Sequence, residues 1–112
     1  MTDWEDVVAF ACALPHVILA GYYGSPAPKL NGKVIASPGR EPGSFHLPVG
    51  LDDKAMLMET DPDTFWESDH YRGWPGVLVR YGRERERVET WIRRAWWDRA
   101  TRSQRAAYGD RP

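Results

Sequence analysis

Twelve residues, Asp69-His70-Tyr71-Arg72-Gly73-Trp74-Pro75-Gly76-Val77-Leu78-Val79-Arg80, concentrate the side chains with which this chain could do chemistry. Carboxylate, imidazole, phenol, guanidinium and indole crowd a stretch punctuated by glycine and proline, and an apolar, β-branched run follows at once. That is the pattern of a functional loop feeding a buried strand. On an extended segment alternate residues share a side. His70, Arg72 and Trp74 are then expected together, with Asp69 and Tyr71 opposite. A cation, an imidazole and an indole on one side suit the holding of a phosphate and the stacking of a base. The competing reading pairs Arg72 with a carboxylate, buries the Tyr71 and Trp74 rings, and makes Gly73-Trp74-Pro75-Gly76 a rigid turn.

Catalysis and metal binding find little support. Adjacent residues point apart, so Asp69 and His70 are poorly placed to act as an acid–base dyad. No Ser or Cys stands in a nucleophile elbow. His16, His46 and His70 share no metal-ligand spacing. No catalytic residue, metal or cofactor is therefore expected. His46 lies between Phe45 and Leu47, which turns it toward solvent or a neighbouring strand. Gly21-Tyr22-Tyr23-Gly24 and Pro38-Gly39-Arg40-Glu41-Pro42-Gly43 lack the spacing of phosphate-binding loops and read as turns. Tyr22 and Tyr23 are read as buried rings anchoring the first helix to the sheet, in preference to exposed stacking rings.

The densest cationic run lies near the C-terminal end. On a helical wheel Arg83, Arg87 and Arg94 fall on one flank, with Thr90 between them. Together with Arg72 and Arg80 they offer roughly three to five phosphate contacts if they converge. Glu89 to Arg93, Arg94 to Asp98 and Asp98 to Arg102 are each four apart, the spacing of helix ion pairs worth a few tenths of a kcal/mol. Fifteen basic residues face sixteen acidic ones, for a formal net charge of −1. A dedicated nucleic-acid binder is usually strongly basic, so DNA binding here would be weak and salt-sensitive.

These residues must be positioned by one domain, because 112 residues are too few for two. Six tryptophans supply ample apolar area for a core. The single Cys12 reads as a small core residue in an apolar helical stretch. No basic segment followed by an apolar stretch opens the chain, and no apolar run approaches about 18 residues. A cytoplasmic protein without a membrane partner is expected.

Thr2 and Glu5 have capping-box spacing, and Trp4, Val7, Val8, Ala11 and Leu14 follow helical spacing to Pro15. Asn31-Gly32 between Lys29-Leu30 and Val34-Ile35-Ala36 predicts a hairpin with a type I′ turn. Phe45, Leu47 and Val49 alternate as a third strand. A short helix follows from Asp52 or Asp53 to about Glu59, carrying Ala55, Met56, Leu57 and Met58, and Asp61-Pro62-Asp63 stops it. Phe65-Trp66 and Val77–Tyr81 add two strands. The last helix is expected from about Arg83 to Arg102, with Val88, Trp91, Ile92, Ala95 and Trp96 as its apolar stripe. Trp97 points away from that stripe, so it is either exposed or covered by the tail. The domain then spans 1–103, with a flexible tail over 104–112. The order predicts an α+β fold, with a mainly antiparallel sheet of about five strands and N-terminal, short middle and long C-terminal helices.

At this point the chain resembles the MmcQ/YjbR family of small bacterial proteins. The resemblance rests on Ala13-Leu14-Pro15, Asn31-Gly32-Lys33-Val34, Asp61-Pro62-Asp63 with Phe65, the block Asp69–Pro75 with Val77–Arg80, and Ala95-Trp96. It covers most of the chain, from about Trp4 to Ala100. It implies a compact α+β fold like that of YjbR, related in shape to secretion chaperones. It also implies a DNA-binding role through a double-wing arrangement, and brings no catalytic residues. The run Arg83-Glu84-Arg85-Glu86-Arg87 stands where the family pattern starts a helix with Asp-Pro, and the Trp97-containing, Arg-rich end also departs from it.

The expected function is a non-enzymatic DNA-binding or accessory module whose surface comprises His70, Arg72, Trp74, Arg80, Arg83, Arg87 and Arg94. The alternative is a small-molecule or protein-binding module with a pocket rimmed by the Asp69–Trp74 loop.

Overall fold

Helix α1 spans Trp4–Cys12 in the computed structural model, which describes every residue from Met1 to Pro112. Asp3 caps it, its carboxylate accepting from the Asp6 amide at 2.9 Å. The Asp6 carboxylate accepts in turn from the amide and hydroxyl of Thr2, at 2.9 and 2.6 Å. The cap is thus Asp3 rather than the expected Thr2, because Asp outranks Thr as a cap, and no reciprocal box forms with Glu5. Val7 and Ala11 are buried, whereas Cys12 is half-buried rather than in the core.

Strands β1 (Ile18–Tyr22), β2 (Ser25–Leu30) and β3 (Lys33–Val34) form an antiparallel sheet in that order. The predicted hairpin joins β2 to β3, with Lys29 opposite Val34 and positive φ at Asn31 and Gly32. β1 was not expected. It is tied to β2 by a second two-residue turn at Tyr23-Gly24, again with positive φ at both positions. Pro26 and Pro28 lie in the middle strand and donate nothing to a ladder. Their nitrogens face away from β1, on an edge that β3 is too short to cover. There the Pro28 carbonyl accepts from the Ile35 amide at 3.0 Å.

The second sheet is antiparallel in the order β4 (Ser37–Pro38), β5 (Ser44–Leu47), β7 (Val77–Arg80), β6 (Phe65–Trp66). Its register sets two rows of side chains. Phe45, Val79 and Phe65 pair across the strands on one face, all buried in the core. Ser37, His46, Leu78 and Trp66 pair along the other. α2 (Leu51–Thr60) precedes β6 and ends at Asp61, as predicted. Its buried positions are Lys54 and Leu57. Ala55 and Met56 are exposed, and Met58 is only partly buried.

Helix α3 (Arg85–Arg99) buries the predicted stripe of Val88, Trp91, Ile92, Ala95 and Trp96. Trp96 is fully buried and donates its indole N–H to the Pro15 carbonyl at 2.8 Å. A fully buried large apolar side chain contributes roughly 1.5–3 kcal/mol, so this face anchors the sheets. The chain breaks at Ala100 and restarts as α4 (Arg102–Tyr108), where Thr101 and Gln104 make a reciprocal capping box. The stretch expected as a tail from Gln104 is thus helical. Tyr108 lies 4.8 Å from the Trp96 ring and 6.2 Å from that of Trp97, which Arg105 also covers. Asn31 joins the two ends of the fold, its amide donating to the Arg99 carbonyl and to Gln104 Oε1. The architecture is α+β, with four helices and two antiparallel sheets. No helix is long and apolar enough to cross a membrane.

Candidate ligand-binding cleft

The Asp69–Gly76 loop covers the face of the second sheet that carries Ser37 and His46. His46 projects from β5 away from the core, and the loop folds over it. The loop is not extended. Asp69–Tyr71 form one 3-10 turn, and Gly73 takes a φ of 75°, in the left-handed region. The expected alternation of sides is therefore lost. His70 and Trp74 still line a common cleft, but Arg72 does not. Arg72 pairs instead with Asp69, three residues back, and both are exposed. Screening by water leaves such a pair worth about 0–1 kcal/mol.

A buried cation holds the loop in place. Lys54 is 2% exposed. Its ammonium donates to the carbonyls of Tyr71 and Trp74, at 2.8 Å each, and pairs with the Glu67 carboxylate at 2.8 Å. Three donors meet three acceptors, which is what a buried ammonium requires. The hydrogen bond from Lys54 holds the Glu67 carboxyl below its ordinary range. Lys54 was not expected in the site, since a lysine in a short helix ordinarily faces water. The one local signal was its spacing, three residues before the buried Leu57.

His46 stacks on Tyr71, with centroids 4.6 Å apart and planes inclined by 25°. The imidazole also presses against Gly76. A Cβ at that position would lie 2.1 Å from Nε2, so any other residue must push the His46 ring aside. Burial pushes His46 down to about 4, and the charges of Lys54 and His70 act in the same direction. The ring is neutral at physiological pH. It faces the cleft and the loop rather than open solvent.

The cleft encloses about 660 Å³, within the range of small-molecule sites. Tyr22 and Tyr23 form another part of its wall. They are not buried anchors of α1, because β1 carries them to the tip of a hairpin. Their rings meet edge to face at 4.7 Å, and Tyr23 is 93% exposed. Trp74 is 65% exposed. Ser25 and Ser37 add hydroxyls, and Arg40, which sequence reasoning had passed over, supplies the lining cation. Arg40 Nη1 lies 3.0 Å from both ring nitrogens of His70. A nitrogen equidistant from both sits over the imidazole, not along either lone pair.

The remaining candidate arginines lie outside this cleft. Arg80 stacks over Trp66 at 4.9 Å and donates to the Pro62 carbonyl at 2.9 Å. Arg87 pairs with Asp61 at 3.4 Å. Arg94 stacks over Trp91 and donates to the Pro112 carbonyl oxygen at 2.8 Å. Arg83 is exposed between β7 and α3. Of the expected helix ion pairs, Arg93 with Glu89 forms at 3.8 Å, while Asp98 is in none. Glu89 also takes Arg85, at 2.9 Å. Comparison of the chain with protein-family models, with curated proteins and with solved structures gives no match.

Proposed function

We propose that this protein is a non-enzymatic binding module that takes a small molecule in the cleft between the Asp69–Gly76 loop and the Tyr22–Tyr23 hairpin tip. The observation that carries this reading is the Lys54 tether. A buried ammonium bonded to two loop carbonyls pre-organises a wall of aromatic rings, and pre-organisation lowers the ordering cost of binding. The resemblance to the MmcQ/YjbR proteins supplies the accessory, non-catalytic character. The cleft chemistry agrees with it. Asp69 is engaged by Arg72 rather than by His70, and an imidazole held near 4 is a poor general base at neutral pH.

Duplex DNA bound along the last helix has weaker support. Arg80, Arg87 and Arg94 already donate to backbone or carboxylate oxygens, and each would exchange an existing partner for a phosphate.

The test is a thermal-shift screen of nucleotides and aromatic metabolites, followed by proton–nitrogen correlation spectra of the Trp74 indole. A hit that shifts Trp74 supports the cleft. A salt-sensitive anisotropy change with short DNA, with no response at Trp74 to any metabolite, overturns it.

A further inference from the structure

Resting on the reading of the cleft as a small-molecule site, we infer that its ligand is a planar aromatic molecule carrying an anionic group, with the ring held by Trp74 and the tyrosines and the anion by Arg40. Three observations combine. The first is ring content: Tyr22, Tyr23, Tyr71 and Trp74 line one cavity with two imidazoles. Aromatic faces of this kind take flat π systems by offset or edge contact. The second is charge. Arg40 lines the cavity, and no Asp or Glu does. His46 is neutral, so it does not compete as a second cation. Glu41, whose charge helps to raise the Tyr71 phenol, is not among the lining residues.

The third observation concerns availability. Most other guanidiniums around the candidate surface are already satisfied by oxygen acceptors. Arg40 belongs to no ion pair, and its one side-chain contact is with the His70 ring. Its donors are thus held over an aromatic face at the cavity wall without an anionic partner. A carboxylate or phosphate supplies what is missing, because a guanidinium presents paired donors in the geometry of those oxyanions. The protonated Tyr71 phenol and the Ser37 hydroxyl offer neutral donors beside it.

The experiment compares two matched pairs of probes by calorimetric titration of the full chain at low salt. Adenosine monophosphate is set against adenosine, and indoleacetate against tryptamine, with the Trp74 indole resonance reporting the place of binding. Each anion is expected to bind at least about tenfold more tightly than its partner, the scale of one hydrogen bond to a charged group. The stronger anion tells phosphate from carboxylate. Arg40→Gln, at an exposed position, should erase the preference, and Arg40→Lys should keep part of it. If adenosine and tryptamine bind at Trp74 as tightly as the anions, or if Arg40→Gln keeps the preference, the charge assignment is overturned while the cleft reading stands. If none of the four probes moves Trp74, both fall together.

Discussion

The Asp69–Gly76 wall of the cleft hangs on a buried ammonium, whereas the Tyr22–Tyr23 wall is a two-residue turn at the end of a backbone ladder. On the first side the tether comes from α2, and its acceptors are carbonyls that no strand satisfies. On the second, no side-chain hydrogen bond reaches either tyrosine. Only the Tyr22–Tyr23 edge contact and Lys29, 5.9 Å from the Tyr22 ring, decorate the turn. The contrast separates two duties. A wall pinned by a buried ammonium keeps one geometry until the pin fails. A hairpin tip with few buried contacts can reorient its rings at small cost. If the cleft takes a ligand as proposed, Trp74 and Tyr71 are expected to set its register and Tyr22 and Tyr23 to adapt to its shape.

Removing the pin is expected to have the largest effect. Lys54→Met leaves Glu67 without its cation, and the Tyr71 and Trp74 carbonyls keep only their bonds from the Trp74 and Gly76 amides, at 3.0 and 2.8 Å. Breaking a fully buried pair at one partner costs about 3–5 kcal/mol; Glu67 keeps 26% of its side chain exposed, so the loss should lie at the low end of that span, and urea denaturation would read it directly. The cleft should lose its ligand response as well. Adding Glu67→Gln should recover part of the stability, because the uncompensated charge is then gone. A Lys54→Met loss below about 1 kcal/mol, a modest surface-pair value, would show that the loop stands without the tether and would erase the contrast between the walls.

Acid should weaken the same wall by two routes. His46 titrates near 4 in the fold against an ordinary value of 6.5. Its folded pKa is depressed, so the unfolded chain binds the proton first as pH falls. The contribution is complete above pH 6.5 and is lost on descent toward pH 4, up to about 3 kcal/mol. Glu67 is also depressed, by its bond from Lys54. Its contribution is present above the ordinary carboxyl value and disappears as pH falls through the lower folded one. Unfolding free energy followed from pH 7 to pH 4 should decline, and His46→Gln should flatten the upper part of that decline. Gly76→Ala comes next in size. Its Cβ must displace the His46 ring, an overpacking cost of about 1–3 kcal/mol. The His46 resonance should then titrate closer to 6.5, because the ring is driven toward water. An unchanged His46 titration in Gly76→Ala would mean that the glycine does not seat the imidazole.

Local patterns made most of the fold legible. Asn31-Gly32 demanded its turn, the stripe from Val88 to Trp96 demanded a buried helix face, and Val77–Val79 demanded a buried strand. β1 was hidden because its partner β2 carries two prolines, and only the shortness of β3 makes them tolerable. α4 carried a visible signal in Thr101 and Gln104, three apart before an otherwise polar stretch, yet its docking depends on Tyr108 meeting Trp96 from outside the stripe. The site was half legible. His70 and Trp74 line the candidate cleft, while Arg72 pairs with Asp69 outside it. Lys54 and Arg40 were missed for one reason. A charged residue reads as solvated unless its partners are known, and Lys54 finds its carbonyls 17 and 20 residues along the chain.

The smallest stability change belongs to the hairpin wall, and it is the sharpest way to test the division of duties. Tyr23→Ser removes a ring that is 93% exposed and makes no hydrogen bond, so unfolding free energy should stay within about 0.5 kcal/mol of the parent. Affinity for an aromatic probe should nevertheless fall several-fold, since stacking on one ring is worth about 1–3 kcal/mol where it is measured with nucleic-acid bases. Arg72→Ala is the matched control on the pinned wall. It removes a charge from the same loop without touching the cleft, and neither stability nor affinity should change beyond the worth of an exposed pair. If Arg72→Ala weakened the probe more than Tyr23→Ser did, the ligand would lie on the outer face of the loop, and the two walls would not enclose it.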